Sequence, residues 1–358
     1  MPTDGSAPAP NDPRLMIERH ALRLGIGITA VFLIAMWFQW TLAYLAPIFL
    51  PFLLQAGRPF RLAEAIELLV AILVVMLVSY ALSALSRQLP LLYALVLIPM
   101  LFLTFRSLFR GGPVMVILMV LVGLVLPPLI VKFSHDLAWD VSASFFWNIG
   151  LCLVATYVLY VLFPRMPGEP ESKPRPVLPP ADANTHAATL AVIVGGYNLV
   201  YLSLDWHNAH TPLYLVVFAS SLALSRTTQT SIGILAANVI GGLVAVVMFE
   251  LTAAAPNFFF LAALTLPVMI VFARAVVSDA PWAPLANFAM TVVLLIFGPS
   301  IGPTDSDGGL ENMAYRLFEL GIAAIVAVAA VFVLEVLRPV AKPAAQSQLA
   351  PVQPLPDD

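Results

Sequence analysis

The sequence predicts an all-α polytopic membrane protein of about twelve transmembrane helices, arranged as two parallel six-helix repeats. Three observations predict it: 61% of the 358 residues are hydrophobic and only 10% charged, the mean hydropathy is +0.94, and apolar runs recur along almost the whole chain. A soluble domain carries about a quarter of its residues charged, so lipid is the solvent of most of this chain. The runs are continuously apolar and lack the alternation of membrane strands, which points to helices and not a barrel. A formal net charge of -3 implies no nucleic-acid partner. The single cysteine, Cys152, rules out an internal disulfide and reads as a small core residue.

Residues 1–21 read as a cytoplasmic N-terminal tail, rich in Pro, Ala and Asp and closed by Arg14 and Arg19. The apolar stretch from Leu24 to Leu54 is too long for a signal-peptide core, so the first hairpin is expected to be uncleaved. Apolar runs between charged or Pro/Gly breaks give spans near 22–40, 44–56, 62–84, 91–108, 113–131 and 142–163 in a first half covering 22–163. A second half, 186–338, gives spans near 186–204, 212–225, 230–251, 257–275, 281–299 and 314–337. Most reach the length of about 20 residues that a bilayer requires. The second and eighth are short, carry Pro47, Pro51 and Pro212, and are expected to be broken or tilted. Pro164 to Pro180 holds seven prolines among charges, so 164–185 reads as a solvated cytoplasmic linker, and 339–358 as a disordered tail.

Short loops rich in Lys and Arg stay in the cytoplasm. With the N-terminus inside, only Arg87, Lys132 and Arg316 of the 17 Lys and Arg residues fall on the far side, so both termini are expected to be cytoplasmic. The halves also share a local pattern. Ala46-Pro47-Ile48-Phe49-Leu50 is echoed by Thr211-Pro212-Leu213-Tyr214-Leu215, with Arg61 and Arg226 each fourteen residues after the proline. Trp147-Asn148-Ile149-Gly150 is echoed by Phe318-Glu319-Leu320-Gly321 at an offset of 171. Repeats of six helices are related by an axis along the membrane normal, with a site expected between the halves.

No phosphate loop of the Gly-x-x-x-x-Gly-Lys-Ser/Thr type is present, so transport would run on a gradient or a partner. Ionisable groups at membrane depth then carry most information. Arg316 and Glu319, three apart near the outer end of the last span, share a face and suit proton coupling to an anion. Arg61 and Arg226 are candidates for the substrate path at its cytoplasmic mouth, with Asn198, Asn238 and Asn287 as polar groups nearer mid-membrane. Glu64 and Glu67 fit the N-terminal dipole of the third span. Gly233 to Gly242 and Gly321 to Ala324 are small-residue stretches that let helices approach closely. Asp205, His207 and His210 read as a solvated turn and Asp305, Asp307 and Glu311 as an acidic loop; no metal or other cofactor is expected from them.

The layout of six and six, the short Pro-containing second span, the arginine before the third, and Arg226 to Gly242 (RTTQTSIGILAANVIGG) resemble the fusaric acid resistance and aromatic acid exporter group of bacterial inner-membrane proteins. Tyr315-Arg316-Leu317-Phe318-Glu319-Leu320-Gly321, continuing to Arg338-Pro339, is similar to the final helix of that group. Two departures stand out: the sizeable cytoplasmic domain between halves is replaced by the linker, and the third span lacks that group's glycines. The resemblance implies proton-driven efflux of aromatic carboxylic acids or related toxic organics from the cytoplasm across the inner membrane. It also implies a periplasmic membrane-fusion adaptor and an outer-membrane channel as partners; membrane lipids and a homo-oligomer are further partner expectations for a chain of this kind. The competing expectation is a membrane-embedded enzyme acting on a lipid or polyprenyl substrate, for which Asp205, Asp307 and their neighbours are the candidates.

Overall fold

The computed structural model describes residues 13–54, 61–131, 134–165, 177–203, 228–278 and 282–301, with isolated positions at 216 and 280 and scattered helical positions between 314 and 329. Ten α-helices are defined among them: α1 (Pro13–Trp37), α2 (Leu45–Leu54), α3 (Leu62–Gln88), α4 (Pro90–Phe109), α5 (Val114–Ile130), α6 (His135–Leu162), α7 (Pro180–Ser203), α8 (Thr228–Ala254), α9 (Phe258–Val277) and α10 (Ala283–Ser300). The described residues contain no strand. Eight helices are long and apolar enough to cross a membrane, and α2 and α5 are shorter and equally apolar. The chain is a multi-pass helical membrane protein.

Local chemistry explains where the helices depart from the expected spans. α6 begins at His135 and not near 142, because the Ser134 hydroxyl accepts the Leu137 N–H (3.1 Å) and Asp136 faces the positive end of the helix. α7 begins at Pro180, inside the expected 164–185 linker; proline suits a first helical position, and Asp182 follows in the first turn. α1 begins at Pro13, so helix occupies much of the expected 1–21 tail. α5 is only 17 residues, and the pair Pro127-Pro128 lies in its last turn. The expected span 212–225, apart from position 216, and the end of 314–337 lie outside the described residues, as do the 339–358 tail, the 205–210 turn and the 305–311 loop.

Packing orders these helices into distinct pairs. α3 packs on α5 and α8 on α10, while α1 packs on α9 and α4 on α7. Glycine sets the closest approaches: a Cβ on Gly123 of α5 would lie 3.0 Å from Val75 of α3, and one on Gly241 of α8 would lie 2.5 Å from the Ala289 carbonyl of α10. Gly25 meets Ile270 across α1 and α9, as Gly195 meets Ile98 across α7 and α4. The buried core is continuous, with Phe32 against Phe297 and Phe49 against Phe145. Leu91 and Phe259 stay 86% exposed on the outside, as expected where lipid and not water surrounds the bundle.

Candidate functional site

α2 is too short to span and contains Pro51, and as its last residue Leu54 has a carbonyl with no helical partner. One face of α6, at spacings of four and eight residues, supplies donors to carbonyls of α2 and of the turn before it. The Cys152 thiol donates to Ala46 O (3.0 Å), Tyr160 Oη donates to Leu54 O (2.9 Å), and the Asn148 amide reaches Leu42 O at a long 3.5 Å. Each contact joins residues 106 apart, which fixes α2 and α6 as parallel and in register. Arg23 of α1, 3% exposed, lies over the Tyr160 ring at 4.6 Å and donates to Phe163 O. Sequence reading counted Arg23 only as a topological charge. It stands immediately before the apolar run that begins at Leu24, and its burial comes from packing against the end of α6.

Asn198, completely buried in α7, accepts a long bond from Tyr93 Oη of α4 (3.5 Å), and Tyr93 also reaches Leu124 O of α5 (3.2 Å). Glu319 is 5% exposed. It stands within electrostatic reach of Tyr197, the neighbour of Asn198, so α7 and the final helical residues carry polar groups at one place. Gly242, midway along α8, would bring a Cβ to 2.6 Å from Leu317. Leu317 therefore stands level with the middle of α8, and Glu319 two residues further along.

Asn238 of α8 and Asn287 of α10 stand near the level of the Gly241–Ala289 approach. Both amide atoms of Asn238, Oδ1 of Asn287 and Nδ2 of Asn198 are buried with no hydrogen-bond partner among the described residues. Such atoms are costly in a lipid-embedded bundle unless water or a ligand reaches them. Arg61 is exposed at the start of α3, where its N–H donates to Glu64 Oε2 (3.3 Å). Glu64 thus caps the helix, whereas Glu67 is exposed. Arg226 and Arg316 lie outside the described residues, so the Arg61–Arg226 and Arg316–Glu319 pairings have no geometry to report.

α4 and α9 have a correspondence that the sequence reading missed. Each is 20 residues long, with proline at its tenth position (Pro99, Pro267) and arginine at its seventeenth (Arg106, Arg274). An offset of 168 would have found it.

A family model described as "Protein of unknown function (DUF2955)" matches residues 20–159, from within α1 to near the end of α6. No curated protein and no solved structure matches the chain. Over its first six helices, then, the chain is similar to a family whose description states no activity.

Proposed function

We propose that this protein is a proton-driven secondary exporter of aromatic carboxylic acids or related organic compounds in a bacterial inner membrane, with both termini cytoplasmic. The observation that carries the reading is Glu319: a carboxylate buried within an apolar helical bundle, beside Tyr197 and two residues along from Leu317 at mid-α8. A titratable group is expensive at such depth, and proton coupling is a role that offsets that cost. The unsatisfied amides of Asn198, Asn238 and Asn287 support a polar path through the same half of the bundle. The resemblance of the final span and of RTTQTSIGILAANVIGG to aromatic acid exporters supports the substrate class, and with it an adaptor and an outer-membrane channel as partners.

The proposed duplication draws support from the packing. Adding six to each helix of the first half pairs α1–α9 with α4–α7 and α3–α5 with α8–α10, counting the expected 212–225 span as the eighth. The matched prolines and arginines of α4 and α9 fall on equivalent helices. A two-fold relation along the membrane normal accounts for both facts.

The test uses the full-length protein in proteoliposomes with an imposed pH gradient and a labelled hydroxybenzoate inside. The wild type is expected to export the acid in proportion to the gradient. Glu319→Gln keeps size and hydrogen bonding but cannot titrate, so it should insert normally and lose the pH dependence. Gradient-driven export by the Gln variant at the wild-type rate overturns the coupling role.

A further inference from the structure

A cleft of about 360 Å³ opens at the C-terminal end of α4, lined by Leu103, Arg106, Ser107, Arg110 and Gly112. Its frame is built. Gly112 N donates to Ser107 O (2.9 Å), and Gly111 adopts a φ of 82° that closes the turn after α4. From behind, Leu178 N donates to Phe109 O (3.0 Å), so the chain leaving the linker is stitched to the same helix end. Among the described residues, Arg106 Nε is buried without a hydrogen-bond partner and no carboxylate lines the cleft.

The cleft terminates one face of α4. Leu92, Leu95, Pro99 and Leu103 are all exposed, at spacings of three or four residues, and Ser107 and Arg110 continue the same line. That face is apolar for most of its length and cationic for its last turn. A lone helix-dipole role accounts for arginines at a C-terminus but not for an open cleft beside them in which Arg106 Nε is buried without a bond among the described residues.

We propose that this cleft binds the headgroup of an anionic phospholipid from the leaflet at the linker end, with an acyl chain lying along Leu103, Pro99 and Leu95. The phosphate oxygens take the paired guanidinium donors and the Ser107 hydroxyl, since planar forked donors match a phosphate. With two cations and no described acid at its lining, the cleft selects a net negative headgroup over a zwitterionic one, whose ammonium finds no counter-charge. The site is independent of the transport reading and rests only on the chain being a membrane protein.

The experiment titrates dioctanoyl-phosphatidylglycerol into full-length protein in a neutral maltoside detergent, read by native mass spectrometry, with dioctanoyl-phosphatidylcholine and glycerol phosphate as comparison ligands. Phosphatidylglycerol is expected to bind best. Arg106→Gln combined with Arg110→Gln should weaken it about 30-fold and Arg110→Gln alone about fivefold, following about 1 kcal/mol per cation. Arg110 is exposed, so its single variant keeps the test valid if the double variant misfolds. Unchanged phosphatidylglycerol binding in Arg110→Gln, or equal binding of the zwitterionic lipid, overturns the proposal. Glycerol phosphate binding as tightly as the lipid would make this a free-phosphate site and overturn the lipid assignment.

Discussion

Tyr160 Oη donates to the Leu54 carbonyl at 2.9 Å while the Arg23 guanidinium covers the same ring at 4.6 Å, so one side chain ties the middle of α1 to the C-terminal ends of α2 and α6. The carbonyl it satisfies ends a helix too short to span, in an environment where an unmatched polar group finds no water. Tyr160→Phe keeps the ring under Arg23 and removes only the bond, for which bundle interiors give about 0.6 kcal/mol and at most about 1.7. Tyr160→Ala also removes the packed ring and the cation contact and should cost about 3–5 kcal/mol. Thermal unfolding of detergent-solubilised protein should rank the variants in that order.

The α8–α10 approach predicts a second contrast. A Cβ at Gly241 would lie 2.5 Å from a backbone carbonyl and 2.8 Å from Val292 Cβ, neither of which can swing away. Gly241→Ala should therefore cost about 1–3 kcal/mol by overpacking. Gly150→Ala meets nothing within 4 Å and should leave the melting temperature near that of the wild type.

At the start of α3 the two acids separate. Glu64→Ala removes the acceptor of Arg61 N–H and a favourable dipole contact, and should cost about 0.5–1 kcal/mol. Glu67→Ala, on the exposed face, is expected to change stability by less than about 0.5 kcal/mol, as surface substitutions usually do. Parallel melts of the two variants distinguish a cap from a general first-turn charge effect.

Asn198→Leu tests whether the buried amide serves the path or the packing. The bond it accepts from Tyr93 is long, at 3.5 Å, and its Nδ2 has no partner among the described residues, so an apolar side chain of similar size should cost less than about 1.5 kcal/mol in stability. Aromatic acid export by the variant is expected to fall at least about tenfold, a loss of some 1.4 kcal/mol in the transport step. Full export with unchanged stability would remove Asn198 from the proposed path.

Topology is open to a direct check. A reporter inserted between residues 166 and 176 and one fused after Lys342 are both expected to be active only for a cytoplasmic reporter, because Lys and Arg gather on that side of the span map. An extracytoplasmic signal at either point removes the proposed orientation.

Composition and run length alone determined that this is an all-α membrane protein, because a bilayer admits little else from continuously apolar runs. They also located the short, proline-bearing second helix, since proline and brevity are legible without any partner. Helix starts at His135 and Pro180 were less legible: Asp136 and Asp182 look like breaks in an apolar run, whereas in the fold each is an acid at a positive helix end. The burial of Glu319 and Asn198 was suggested by their residue type in apolar surroundings. That Tyr197 stands by one and Tyr93 by the other was decided only by the packing of α4, α7 and the last helical residues. The face of Asn148, Cys152 and Tyr160 illustrates the limit most plainly. Its spacing of four and eight residues is visible in the chain, yet its meaning depends on carbonyls of α2 and of the turn before it, 106 residues away, and only tertiary packing brings donor and acceptor together.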